Sequence, residues 1–136
     1  MNETTALIVA GGRGVRAGGG VPKQYRDLGG APVLRHSLRI FTDHPGIGAV
    51  RVVIHPDDRE LYAAAAIGLA LDPPVHGGAT RQESCRLGLE SFADDPPRNI
   101  LIHDAARPFV DAATIDRVID ALDRFDGAIA AVPVHD

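Results

Sequence analysis

The sequence predicts an α/β fold around a parallel sheet, on two observations. Short apolar, β-branched runs alternate along the chain with stretches of helical periodicity, the pattern of strand–helix–strand units. The first run, Thr5-Ala-Leu-Ile-Val-Ala10, is apolar at nearly every position, as expected of a strand covered on both faces. It is closed by glycines. Ala49-Val-Arg-Val-Val-Ile-His55 is a second β-branched run, stopped by Pro56, and Asn99-Ile-Leu-Ile-His103 a third. Gly127-Ala-Ile-Ala-Ala-Val-Pro-Val134 reads as a fourth.

Helical patterns fill the intervals. Val33 to Phe41 is one and Asp57 to Ile67 another, with Asp57, Asp58 and Glu60 placed to favour the positive end of its dipole. Thr80-Arg-Gln-Glu83 is a capping box, in which hydroxyl and carboxylate satisfy orphan amides at a helix start. The helix it opens carries Cys85, Leu87, Gly88, Leu89 and Phe92, with Cys85 expected on the apolar side as a small hydrophobe. A last helix sets Ile115, Val118, Ile119 and Leu122 on one face, with Asp116, Asp120 and Asp123 outward.

A chain of 136 residues, 45% hydrophobic and 24% charged, has the size and apolar content of one folded domain and not of a disordered segment. No apolar run approaches the ~20 residues that span a bilayer, and the N-terminus lacks the basic and apolar regions of a secretory signal, so a cytoplasmic location is expected. One cysteine builds no intramolecular disulfide, and no Cys/His spacing resembles a zinc site. His36, His44, His55, His76 and His135 read as surface or loop residues, and His103 as a residue that positions the end of its strand. A net charge of −4 with 4% aromatic residues argues against nucleic acid as a partner.

The charge is uneven. Residues 1–35 carry five basic side chains (Arg13, Arg16, Lys23, Arg26, Arg35) against Glu3 and Asp27, and Lys23 is the only lysine in the chain. Six of the ten residues from Gly11 to Gly20 are glycine. Without Cβ atoms, backbone amides converge on an anion, and Arg13, Arg16 and Lys23 add fixed positive charge directly after a buried strand. Phosphate is the ligand class this composition suits.

Two familiar phosphate loops fit poorly. Gly12-Arg-Gly-Val-Arg-Ala17 matches the dinucleotide fingerprint, but Gly18 to Pro22 interrupt the helix it needs, and no acid stands at the tip of a strand about 20 residues on. A P-loop needs Ser or Thr after its lysine, whereas Gln24 follows Lys23. In an open parallel sheet ligands sit outside the carboxyl ends of the strands, which directs attention to the loops after Ala10, Val75 and His103.

Those loops carry a resemblance. Ala6-Leu-Ile-Val-Ala-Gly-Gly-Arg-Gly-Val-Arg16 and Pro-Lys-Gln-Tyr25 resemble the opening of sugar- and alditol-phosphate nucleotidyltransferases. With Gly77-Gly-Ala-Thr-Arg-Gln-Glu-Ser84 and His103-Asp-Ala-Ala-Arg-Pro108, the chain is similar to the 2-C-methyl-D-erythritol 4-phosphate cytidylyltransferases of the non-mevalonate isoprenoid pathway, from Ala6 to the last residue. The resemblance implies a Rossmann-like, three-layer nucleotidyltransferase core with a mostly parallel sheet. It also implies that residues 1–136 are a CTP-binding domain, C-terminally incomplete, lacking a dimerisation arm and further substrate contacts. The complete protein would be a homodimer, and the family also occurs fused to a cyclodiphosphate synthase domain.

The implied partners are CTP and methylerythritol phosphate, joined with release of pyrophosphate. The implied residues follow motif by motif. Arg16 and Lys23 match the catalytic pair, and Ala10, Gly11, Gly12, Gly78, Arg81 and Ser84 match the CTP-binding positions. Asp104 matches the carboxylate that holds Mg²⁺ or another divalent cation. On residues alone, Asp104 reads as a turn or capping residue, and Ser84 as a solvent-facing helical serine. Arg107 either reaches the substrate phosphate or pairs with Asp104. Ala79 departs from the pattern, standing where an acidic residue is familiar. Two other functions compete: a cytidylyltransferase for another alditol or sugar phosphate such as ribitol 5-phosphate, and a non-catalytic nucleotide-binding module.

Overall fold

The computed structural model of the chain describes residues 3–12 and 20–134. Four parallel strands form one sheet in the order β5-β4-β1-β6, with β1 at Thr4–Ala10, β4 at Ala49–Ile54, β5 at Val75–His76 and β6 at Asn99–Asp104. β1 lies centrally, pairing Thr5 with Ala49 on one side and Thr4 with Asn99 on the other, and all seven of its residues are buried.

Strand alternation sends the two sets of β1 side chains into different layers. Ala6, Ile8 and Ala10 join Val52 and Ile54 in a cluster completed by α1 (Val33–Thr42: Leu34, Leu38, Phe41), α2 (Arg59–Ala65: Tyr62) and α4 (Ala112–Leu122: Ile115). Leu7 and Val53 face the other way, with Phe92, beneath α3 (Arg81–Glu90). The sheet is therefore covered on both faces, the three layers that its apolar central strand requires. No helix among the described residues is long and apolar enough to cross a membrane.

Caps define the helix starts. The Thr80 hydroxyl accepts from the Glu83 amide at 3.1 Å, and Asp111 caps α4 by accepting from the Thr114 amide at 2.8 Å. Hydrogen bonding from Thr114, side chain first and amide second, holds the Asp111 carboxyl below its ordinary range. α4 turns its apolar stripe inward as expected: Ile115 is buried, and Val118, Ile119 and Leu122 pack against the same core.

Several features differ from the sequence expectation. Gly127–Val134 is not a strand: among the described residues none pairs with it, and Ile129 and Val134 are about nine-tenths exposed (89% and 94%). Its apolar content matches a buried strand, but a strand exists only where its amides and carbonyls find a partner, and β6 pairs with β1 alone. The fourth strand is β5, only two residues long and too short to show periodicity. An unanticipated hairpin joins β2 (Asp27–Leu28) to β3 (Ala31–Pro32) through Gly29 and Gly30, both at positive φ (62° and 92°), the geometry of a tight two-residue turn. His44 is buried, not a surface residue: it accepts from the Gly46 amide through Nδ1 and binds Asp116 through Nε2 at 2.8 Å, linking the end of α1 to α4. The helix expected from Asp57 to Ile67 is a single 3-10 turn, Pro56–Asp58, followed by α2, and Ile67 is exposed.

The buried face of α3 consists of Ser84 and Gly88 instead of its larger apolar residues. Cys85 is only half-buried and Leu89 is exposed. The small face lets the helix lie close on the sheet: a Cβ at Gly88 would stand 2.8 Å from methyl carbons of both Leu7 and Val53. Removing a helix glycine favours the helix itself, so a loss on substitution isolates the packing. Gly88→Val is expected to destabilise the fold by about 1–3 kcal/mol in urea unfolding. An unchanged or higher midpoint would contradict this contact.

Candidate active site at the strand ends

At the carboxyl ends of β1, β4 and β6 lies a cleft of about 390 Å³, within the size range of small-molecule sites. It is lined by Ala10, Gly11, Gly12, Gly78, Arg81, Ser84 and Asp104, all singled out from the sequence, and also by Gln24, His55 and Thr80. The parallel topology accounts for the convergence, because every strand delivers its following loop to the same edge.

Ser84 forms the floor. It lies one turn into α3, is 2% exposed, and its hydroxyl accepts from the Gly78 amide at 3.1 Å. It is therefore a buried loop-holding serine, not a solvent-facing one. Both glycine loops close on it. A Cβ at Gly11 would lie 3.0 Å from Ser84 Oγ, and one at Gly77 would lie 2.5 Å from the same atom. The Gly77 amide donates to the carbonyl of Ile54 at 2.8 Å, extending the β4–β5 ladder to the cleft. The Glu83 carboxylate reaches past the helix cap to accept from the Ala79 amide at 3.0 Å, and a side chain at Gly78 would collide with it. Three backbone groups of the Gly77–Ala79 loop are thus tied down by α3 and β4. The capping box has a second use: it shapes a loop.

Asp104 ends β6 between two guanidinium groups. Arg81 Nε donates to its Oδ1 at 3.2 Å, and Arg107 Nε stands 3.4 Å from its Oδ2. The two readings of Arg107 therefore resolve toward pairing in this conformation, although its side chain remains largely exposed at 78%. His103 positions the strand end as expected: its Nε2 donates to the carbonyl of Arg107 at 2.8 Å, and its ring packs on Phe41. At the end of β6, one carboxylate is thus flanked by two cations.

Lys23 is exposed on a single-turn helix, Lys23–Tyr25. It does not line the cleft, but its neighbour Gln24 does. The sequence names Gln24 within Pro-Lys-Gln-Tyr25 without a role for it; it is 6% exposed and donates from Nε2 to the carbonyls of Ala10 at 2.9 Å and Gly12 at 2.8 Å. His55, expected as a surface or loop residue, lines the cleft while accepting from the Asp57 amide. Arg16 lies outside the described residues, as does Arg13.

The family model for 2-C-methyl-D-erythritol 4-phosphate cytidylyltransferase, IspD, matches residues 4–136. The chain belongs to this family. It is 62% identical over 136 residues to a bifunctional IspD/IspF enzyme of Paramagnetospirillum magneticum, covering 100% of this chain and 35% of that protein. The corresponding enzyme of Rhodospirillum rubrum is 59% identical over 137 residues, again with 100% of this chain and 36% of the relative covered. The chain thus spans about a third of the length of these relatives. Among solved structures, a 4-diphosphocytidyl-2C-methyl-D-erythritol synthase superposes with a TM-score of 0.81 at 31% identity, covering 100% of this chain and 62% of its own. The bifunctional IspDF of Campylobacter jejuni shares the fold, with a TM-score of 0.71 at 22% identity over 90% of this chain and 31% of that one.

The Gly77–Ser84 contact makes a coupling prediction. Gly77→Ala is expected to destabilise the protein by about 1–3 kcal/mol, and by clearly less in a Ser84→Ala background, where the nearest clashing atom is gone. Denaturant unfolding of the two single variants and the double variant measures the difference. Additive costs would mean that the two residues do not share the space.

Proposed function

We propose that the chain is the CTP-binding part of an enzyme that transfers CMP from CTP to 2-C-methyl-D-erythritol 4-phosphate, forming 4-diphosphocytidyl-2-C-methyl-D-erythritol and pyrophosphate. The observation that carries this reading is the convergence of Ala10–Gly12, Gly78, Arg81, Ser84 and Asp104 on one cleft at the strand ends. Family membership supplies the reaction class: nucleotidyl transfer.

An oxygen of the acceptor phosphate attacks the α-phosphorus of CTP. The bond from that phosphorus to the oxygen bridging to the β-phosphate breaks, and pyrophosphate leaves with the electron pair. The attacking oxygen is already anionic at neutral pH, so the step requires no general base. The protein's task is to hold mutually repelling anions in line and to neutralise the charge spreading over the α-phosphate. In this reading the backbone of Ala10, Gly11, Gly12 and Gly78 approaches the base and triphosphate. Ser84 fixes that backbone, and Arg81 meets CTP. Arg16 and Lys23 stabilise the transition state, while Arg107 reaches the acceptor phosphate once it turns from Asp104.

Asp104 is the residue to hold a divalent cation. A single hard carboxylate at the mouth of the cleft, once its oxygens turn from Arg81 and Arg107, fits Mg²⁺, which keeps water and phosphate oxygens as most of its ligands. Bound there, the ion would supply neutralisation of phosphate charge. With this reading go a cytoplasmic location and a homodimer in the complete protein, the latter read by light scattering.

Pyrophosphate release from CTP by the complete enzyme tests the function. Release is expected with methylerythritol phosphate, with little from CTP alone or with ribitol 5-phosphate. Equal rates with ribitol 5-phosphate, or none with either acceptor, would overturn the proposal. Lys23→Ala is expected to lower kcat by about 10²–10³-fold, the scale of losing one preorganised charge donor, with a smaller effect on CTP binding.

A further inference from the structure

We infer that Gln24 is a positioning residue of the nucleotide site: its carboxamide sets the backbone conformation of Ala10–Gly12 in which the cleft accepts CTP. This inference rests on the cytidylyltransferase reading above. Gln24 is buried at 6% exposure, unusual for a glutamine, and its Nε2 donates to two carbonyls of the first strand-end loop, Ala10 O at 2.9 Å and Gly12 O at 2.8 Å. Both protons of the amide are committed to that backbone.

The consequence is directional. The peptide bonds of the described residues are trans, so each carbonyl points opposite to the N–H of the same peptide unit. Holding Ala10 O toward Gln24 turns the Gly11 amide away from it. Gly11 and Gly12 are free to rotate for want of a Cβ, and neither has positive φ, so their own conformational preferences do not specify this arrangement. The Gln24 carboxamide does. Ser84 bounds the same loop from the α3 side, where it would meet a Cβ at Gly11.

Gln24 has a second connection. Its backbone follows Lys23 within a turn closed by the Tyr25 amide on the carbonyl of Pro22 at 2.9 Å and the Arg26 amide on that of Lys23 at 3.2 Å. One residue therefore ties the turn carrying the only lysine to the end of β1. A shift of the turn moves both the cationic group and the loop that faces the nucleotide.

Gln24→Met keeps the length and removes the donors; Gln24→Glu keeps the shape and offers at most one donor where the carboxamide offers two. Calorimetric titration of the full chain with CTP and with UTP reads the effect. Both variants are expected to bind CTP about tenfold more weakly or worse, with a smaller preference for CTP over UTP. Partial unfolding would lower the number of sites titrated or weaken CTP and UTP by the same factor, leaving the CTP/UTP ratio unchanged, so a merely structural role does not reproduce the loss of preference. Wild-type Kd and nucleotide preference in either folded variant would overturn the inference. A wild-type chain that binds neither nucleotide overturns the cytidylyltransferase reading itself, a distinct result.

Discussion

The site depends on one close approach: the Ser84 hydroxyl lies where two glycine loops meet, with no room for a Cβ at Gly77. Everything around it preserves that approach. Thr80 and Glu83 set where α3 begins, and so where Ser84 stands. Gly88, one turn further, lets the helix rest on Leu7 and Val53 instead of being held off by a larger side chain. Helix position then fixes loop position through the Gly78 and Ala79 amides. Sheet packing, helix capping and loop geometry are thus one mechanical unit, and small residues at its contacts are requirements of distance.

Electrostatics add a second layer of order. Asp104 is held from both sides by Arg81 and Arg107, and His103 ties down the Arg107 carbonyl, so the end of β6 carries an arranged set of charges. Exposed pairs of this kind contribute little to stability. Their value is placement. The carboxylate keeps two guanidiniums beside the cleft, where a phosphate can later compete for them, and preorganised charge is what phosphoryl transfer chiefly requires of a protein.

Much of this was legible in the sequence because it is written in local patterns. The apolar β1, the β-branched β4 and the capping box of α3 each announce themselves within ten residues, and parallel topology then brings their loops together. What escaped lacks a local signature. β5 is two residues long, and Gly29-Gly30 joins strands too short to alternate. Gly127–Val134 shows the reverse fault, an apolar run with strand composition that pairs with no strand among the described residues. Gln24 contacts carbonyls 12 and 14 residues away, a distance at which no spacing rule operates, and His44 is buried through an aspartate 72 residues on. Ser84 was found only through resemblance; its burial follows from α3 turning a face of serine and glycine, not leucine, to the sheet.

The central claim, that the strand-end loops form the nucleotide site, is tested most directly by amide chemical-shift mapping during titration with CTP and Mg²⁺. The account predicts that the largest shifts fall on Gly11, Gly12, Gly78, Ala79 and Ser84, followed by Asp104, Ala105 and Ala106, with the α4 face unaffected. Shifts centred on the apolar groove between α4 and residues 128–130, or none in the strand-end loops at saturating nucleotide, would contradict it.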